Sequence, residues 1–219
     1  MLIGISGKMG VGKTTMAKVF AAEAGFNHVS FGNLLKAEIN DILVANAIAF
    51  DARGLYGTQA EKQELLWLYR EQLPPEFNNK GFRYFCQIHD NDNVAITYRA
   101  LMQWYGAFRR QQNPDYWIQR LINTTNLSEN VVVDDVRYLN EAVMLLCLGA
   151  TLIRVNWEKP AKSQHISETQ LDNFPSFKVI ITKPKDCALE NYLFTCKELL
   201  TGGLYEPRGN LKVITREPA

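Results

Sequence analysis

The sequence lacks the features that mark several whole classes of protein. Its 219 residues hold 4 cysteines and 3 histidines. Cys86, Cys147, Cys187 and Cys196 show no Cys-x-x-Cys spacing, so neither a disulfide framework nor a zinc site is expected, and the thiols read as reduced packing atoms in a cytoplasmic setting. No sign of charge dominates. With 24 Lys and Arg against 23 Asp and Glu, there is no bulk positive field to argue for nucleic acid or a membrane as partner, and any anion site must be local. Long hydrophobic runs are missing too: the longest, Ile42 to Phe50, is broken by Asn46 and falls well short of the roughly 20 residues that cross a bilayer. Leu2 to Ser6 is too short for a signal-peptide core, so a soluble, cytoplasmic chain is expected. Repeats and low-complexity tracts are absent, and the apolar and charged fractions of 47% and 21% are those of a globular protein rather than a disordered or fibrous one.

What is present alternates between strand and helix patterns. Leu2 to Ser6 is a branched apolar run suited to a buried parallel strand. A helix is expected over Lys13 to Ala24, stopped by Gly25. A strand at His28 to Phe31 and a helix from Leu34 to Phe50, capped by Asn33, complete a β-α-β unit. Further strands are expected at Val131 to Val133, Thr151 to Val155 and Phe177 to Ile181, with helices at Leu139 to Leu148 and Cys187 to Leu200. In between, residues 51–123 read as an insertion with helices at Thr58 to Gln72, Val94 to Arg110 and Asp115 to Asn123, the last opened by Asn113 and Pro114. This predicts a three-layer α/β/α fold with helices on both faces of a five-stranded parallel sheet. It is read as one domain over 1–219, with a core at about 1–50 and 124–203 and a polar lid at about 157–175.

Three motifs carry chemistry. Gly7-Lys8-Met9-Gly10-Val11-Gly12-Lys13-Thr14 satisfies the GxxxxGK[ST] pattern of a phosphate-binding P-loop, with the required strand before it and helix after it. Glycines let successive backbone N–H groups point at phosphate oxygens, Lys13 supplies charge, and Thr14 supplies a hydroxyl for Mg²⁺, with Lys8 and Thr15 flanking. Second, Val131 to Val133 runs into Asp134, Asp135, Val136 and Arg137, at the carboxyl end of a strand where open α/β sheets bind ligands. An acid there can hold Mg²⁺ or its waters or align a substrate group, and Arg137 can clamp a phosphate. The choice of Asp135 over Asp134 stays open, and the plain alternative is a surface ion pair. Third, Arg99, Gln103, Trp104, Arg109, Arg110, Asp115, Tyr116 and Trp117 combine guanidinium forks, an amide and aromatic rings, which suit the phosphate and base of a nucleotide. The alternative is a solvated basic face over core tryptophans. In the polar segment 157–170, Lys159, Lys162 and His165 could close over phosphates and exclude water.

With these residues assembled, the sequence resembles the bacteriophage deoxynucleoside monophosphate kinases, relatives of the nucleoside monophosphate kinase group. The resemblance runs to about residue 200 and rests on GKMGVGKT at 7–14, SFGNLLK at 30–36, LMQWYGAFRRQQNPDYW at 101–117, DDVRYLNEA at 134–142 and HISETQLD at 165–172. It implies transfer of the ATP γ-phosphate to a deoxynucleoside 5′-monophosphate with Mg²⁺, in the host cytoplasm for a phage protein, with a homodimer as a further expectation. It also implies roles. Asp135 and Arg137 match an Asp-x-Arg signature. Some members carry Asp after the loop lysine where this chain has Thr14, so Thr14 and Asp135 as metal ligands, and Lys13, Asp135 and Arg137 as the catalytic set, rest on the motifs above. Glu141 matches a downstream acid. Lys36, Arg99, Gln103, Arg109 or Arg110 and Trp117 fall on the acceptor side, and His165, Ser167 and Glu168 match a lid signature. The lid carries Lys159 and Lys162 where an arginine is expected, and lysine cannot form the same two-point clamp. A kinase of another small phosphorylated acceptor, resembling phosphomevalonate or dephospho-coenzyme A kinases, remains an alternative, as does a nucleotide-hydrolysing switch.

Overall fold

The computed structural model describes residues 1–158, 169–202 and 210–216. The expected lid residues Lys159, Lys162, His165, Ser167 and Glu168 lie outside them. In chain order the strands and α-helices are β1 (Leu2–Ser6), α1 (Lys13–Ala24), β2 (Asn27–Ser30), α2 (Phe31–Ala45), α3 (Ala52–Tyr56), β3 (Leu65–Leu68) and α4 (Lys80–Arg83). They continue as β4 (Gln87–Ile88), β5 (Val94–Thr97), α5 (Tyr98–Gln112), α6 (Tyr116–Thr124), β6 (Val131–Val136), α7 (Leu139–Cys147), β7 (Thr151–Trp157), β8 (Val179–Lys183), α8 (Leu189–Thr201) and β9 (Lys212–Thr215). No helix among the described residues is long and apolar enough to cross a membrane. The chain divides into two compact units, residues 1–31 with 118–219 and residues 32–117.

The first unit is built on a sheet of order β2-β6-β1-β7-β8-β9. The first five strands run parallel, and β9 adds antiparallel to β8 at the edge. Every residue of β1 is buried, as are the three valines that open β6, which is why these strands read as unbroken apolar runs instead of alternating ones. Strand β1 lies between β6 and β7, where successive connections depart to opposite sides, and such a switch point opens a crevice beyond the strand ends. Helix α1 buries Met16, Ala17, Val19 and Phe20 in a core shared with Ile5, Val132, Val155, Ile181 and Tyr192. It stops at Gly25, whose φ of 66° lets its N–H return to the Ala21 carbonyl. The expected sheet had five strands. The sixth, Lys212–Thr215, is a short, mostly exposed edge with no long apolar run to announce it.

The second unit differs more from expectation. Its boundary lies at Gly32 rather than near residue 51. A helix was expected over Thr58 to Gln72, but Leu65–Leu68 form β3, which alternates exposed and buried residues and pairs antiparallel with β5 in the sheet β3-β5-β4. The four-residue stretch LLWL carries too little pattern to separate period 2 from period 3.6. Likewise the helix expected from Val94 starts at Tyr98: Val94–Thr97 form β5, and the Thr97 hydroxyl caps α5 by accepting from the Ala100 N–H at 3.1 Å. Beneath lies an aromatic core. Phe77 stacks on Phe82 at 5.1 Å between centroids, Phe82 meets Trp104 edge-on at 4.7 Å, and Tyr105 meets Trp117 at 6.3 Å.

One carboxylate ties α2 to the aromatic helices of this unit. Glu38 is buried, and its Oε1 accepts from the hydroxyls of Tyr105 and Tyr116, each at 2.6 Å, and from Arg109 Nη2 at 2.6 Å. Burial pushes its carboxyl up, but these donors outweigh that and hold it below the ordinary glutamate range. A carboxyl depressed in the folded state contributes stability above its unfolded pKa and loses it as pH falls through the folded value. Glu38→Gln should therefore lower stability at pH 7 by about 2–4 kcal/mol. Urea unfolding of the intact chain at pH 7 and at pH 4 should show the gap to wild type narrowing at the lower pH.

Candidate active site

The strand-loop-helix unit β1, Gly7–Gly12, α1 is held open by backbone geometry that only glycine meets. Gly7 has φ 148°, and a Cβ there would lie 2.3 Å from the Val155 carbonyl oxygen. Gly12 has φ 103°, and a Cβ there would lie 2.9 Å from the Tyr192 ring, whose hydroxyl donates to the Gly12 carbonyl at 3.0 Å. Gly10 also has positive φ. Lys13 folds back inside this loop, and its Nζ donates to the Gly7 carbonyl at 2.7 Å and to that of Lys8 at 3.0 Å. Only 7% of the residue is exposed, and this burial lowers its pKa to about 8, partly opposed by Asp135. Amide N–H groups at a helix start, with an ammonium beside them, can receive an anion.

Strand β6 brings two adjacent carboxylates to this loop. Side chains of consecutive strand residues point to opposite faces, so a regular strand would send only one there. The pairing with β1 runs Gly4 to Val133 and then Ser6 to Val136, which places one extra residue in β6. Asp135, in that insertion, has φ 70°. This is a β-bulge. Across it, Asp134 Oδ2 accepts from the Thr14 hydroxyl at 2.6 Å, while Asp135 Oδ1 lies 3.8 Å from Lys13 Nζ and 2.5 Å from Arg137 Nε. The open choice between the two acids thus becomes a division: Asp134 faces Thr14, and Asp135 faces the cations. Asp134 is 2% exposed. Burial pushes its carboxyl up, but His28, Thr14 and Ser30 hold it below the usual range. His28 Nε2 sits 3.3 Å from the oxygen that Thr14 uses, and the other oxygen, Oδ1, is buried with no hydrogen-bond donor among the described residues.

That orphaned oxygen beside a hydroxyl is a donor set that fits a small hard cation. Mg²⁺ commonly takes only one or two carboxylates and completes its shell with water and phosphate oxygens. Among the described residues no three His, Cys, Asp or Glu side chains gather into a self-sufficient metal cage.

Glu141, which matches the downstream acid of the resemblance, is 2% exposed. Its Oε2 accepts from the N–H groups of Arg137 at 2.9 Å and Tyr138 at 3.0 Å, fixing the turn that presents Arg137 at the start of α7. Sequence reasoning missed two residues here. Arg154, on β7 and level with Ser6, is a buried cation whose Nη1 donates to Ser6 Oγ at 3.0 Å and whose Nη2 donates to Asp172 Oδ1 at 2.5 Å. Asp172 Oδ2 in turn lies 3.2 Å from Lys8 Nζ. The available signal was an arginine flanked by Ile153 and Val155 inside an otherwise apolar strand.

The remaining candidates belong to the second unit. Arg109 is engaged with Glu38, and Arg110 Nη1 donates to the Gly106 carbonyl at 3.1 Å. Trp117 is 2% exposed and donates its indole N–H to the same carbonyl at 3.3 Å, the setting of a core residue. Arg99 bonds Gln59, Gln103 is exposed on α5, and Lys36 Nζ lies 3.1 Å from Asn33 Oδ1 and 5.9 Å from the centre of the Tyr56 ring.

The fold and this edge define a mixed α/β protein with a mostly parallel sheet and a glycine loop at its switch point. No family model matches the chain. It is 25% identical over 206 residues, covering 84% of this chain and 89% of the relative, to a protein of Acanthamoeba polyphaga mimivirus named "Putative deoxynucleotide monophosphate kinase".

The bulge yields a prediction on stability. At φ 70° a β-carbon is strained, and Asp tolerates it partly through local hydrogen bonding. Asp135→Gly should be more stable than Asp135→Ala by about 1 kcal/mol, read as the difference in urea midpoints at constant slope. Equal midpoints would show that residue 135 carries no such strain.

Proposed function

We propose that the chain is a kinase that transfers the γ-phosphoryl group of ATP to a deoxynucleoside 5′-monophosphate, with Mg²⁺. The observation that carries this reading is the joined set at the glycine loop: Lys13 buried within it and Thr14 bonded to a carboxylate with one unpartnered oxygen. The name of the mimivirus relative supports the choice of acceptor class.

In this reading the loop amides, Lys13 and the N-terminus of α1 hold the ATP phosphates, with Gly7, Lys8, Gly10, Gly12 and Thr15 framing the cradle. Thr14 and Asp134 are assigned to the metal, which when bound neutralises charge on the phosphates. Asp135 orients Lys13 and Arg137, and Arg137 stabilises charge on the transferred group. Glu141 acts through the backbone as a positioning residue. An acceptor phosphate oxygen forms the new P–O bond as the bond to the ADP oxygen breaks, and ADP leaves with that electron pair. No covalent enzyme intermediate is needed. Arg99, Gln103, Arg110 and Lys36 are the acceptor-side candidates. Arg109 and Trp117 are assigned to the scaffold of the second unit.

The test is ADP release from purified protein with ATP and Mg²⁺, across the four deoxynucleoside monophosphates, their ribonucleotide counterparts and other small phosphorylated acceptors. At least one deoxynucleoside monophosphate should give turnover well above the acceptor-free rate. Lys13→Ala and Arg137→Ala should each remove most of that turnover, on the order of 10³-fold for the arginine, with unchanged circular dichroism. Asp134→Asn should raise the Mg²⁺ concentration needed for half-maximal rate. Acceptor-independent hydrolysis as fast as transfer would mean a nucleotide switch, and turnover only with a non-nucleotide acceptor would redirect the assignment.

A further inference from the structure

Beside the loop lies a second cationic group that the roles above leave unused. Arg154 is a permanently charged side chain with 8% of its surface exposed, set in β7 between Ile153 and Val155. Among the described residues its three acceptors are the Ser6 hydroxyl, the Asn156 amide oxygen at 3.2 Å and the Asp172 carboxylate, so one anion balances it. That anion is shared. The other oxygen of Asp172 holds Lys8, a residue of the glycine loop itself. One carboxylate therefore bridges a cation on the loop and a cation under it.

A buried ion pair is a poor device for stability, because desolvating two charges costs about as much as their attraction returns. Its burial even outweighs Asp172 in lowering the tendency of Arg154 to hold its proton. The location offers another reason for it. Ser6, which Arg154 touches, directly precedes Gly7, and the field of Arg154 reaches Lys13. A planar guanidinium beside an ammonium matches two oxygens of a phosphate group better than it matches one carboxylate divided between two partners.

We infer that Arg154 joins Lys8 as an additional phosphate-binding residue at this site, and that Asp172 is a resident anion that phosphate displaces from them. The inference rests on the kinase reading for its ligand class. Asp172 then serves as a latch: it neutralises the pair when no phosphate is present, and its release couples phosphate binding to movement of the 169–175 segment. Arg154 is a binding residue in this scheme, and Asp172 is a competitor for it.

The experiment titrates the intact chain with inorganic tripolyphosphate and with ATP by calorimetry, in wild type, Asp172→Asn, Arg154→Lys and the double variant, each checked by circular dichroism. Asp172→Asn should bind tripolyphosphate about three- to tenfold more tightly, the range of one modest charge-assisted contact returned to the ligand. Arg154→Lys should bind more weakly, and in the double variant the gain should vanish. A structural staple would behave oppositely: Asp172→Asn would unfold more easily and bind no better, which would overturn the inference while leaving the kinase reading intact. If wild type binds neither ligand, both fall. Should Asp172→Asn fail to fold, the Arg154 Nε–H resonance of wild type, assigned by its loss in Arg154→Lys, decides the matter. It should shift on adding tripolyphosphate, and an unmoved resonance at saturation rules the pair out.

Discussion

The extra residue in β6 is the constraint on which the carboxyl edge of the sheet depends. Without it Asp134 and Asp135 would point to opposite faces, and only one could reach the glycine loop. With it, Thr14 and Lys13 each have an acid within reach, at 2.6 and 3.8 Å, from consecutive positions on one strand. The bulge needs a residue that tolerates positive φ, and Asp meets that need while keeping a charge. It also sets the exit of the chain, so that Arg137 follows immediately and Glu141 can hold its backbone from the first turn of α7. Strain, charge placement and chain direction are thus settled together in two residues.

The same edge shows how a protein with almost no net charge makes a strongly cationic spot. Lys13, Arg137, Arg154 and Lys8 are gathered at the ends of β1, β6 and β7, and each has a carboxylate beside it: Asp135 for the first two and Asp172 for the others. The acids offset this clustered positive charge, most of all at Lys13 and Arg154, whose burial leaves them least screened. Asp134 differs: its Oδ2 accepts from the Thr14 hydroxyl, and its Oδ1 is buried with no hydrogen-bond donor among the described residues. Two kinds of carboxylate therefore sit side by side, Asp135 against the cations and Asp134 against a hydroxyl and an imidazole.

How much of this was legible depended on how long each signal ran. The loop and α1 were readable to the residue, because glycine spacing and a Gly25 stop both have a backbone reason. The central parallel strands β1 and β6 were readable from buried apolar runs. The division of labour between Asp134 and Asp135 was not, since a bulge depends on the register with β1, which no local pattern records. Nor was the sheet of the second unit, where four-residue strands carry one period of alternation. Arg154 was visible as an anomaly inside a buried strand, but its meaning required Asp172, 18 residues away in sequence, the last residue of the HISETQLD stretch, to which no role was given.

The second unit illustrates why residue type alone assigns acceptor sites poorly. Arginine, glutamine and tryptophan on one helix are what a nucleotide would want, and they are also what an aromatic core with a buried carboxylate wants. Glu38 decides which of them belong to the scaffold. By taking Arg109 and the hydroxyls of Tyr105 and Tyr116, it commits one face of α5 to holding α2, and Trp117 closes that core from α6. The side chains that α5 turns away from this network, Gln103 among them, stay exposed. The positions of the side chains that α5 exposes therefore depend on the Glu38 network, which anchors that helix through Tyr105 and Arg109.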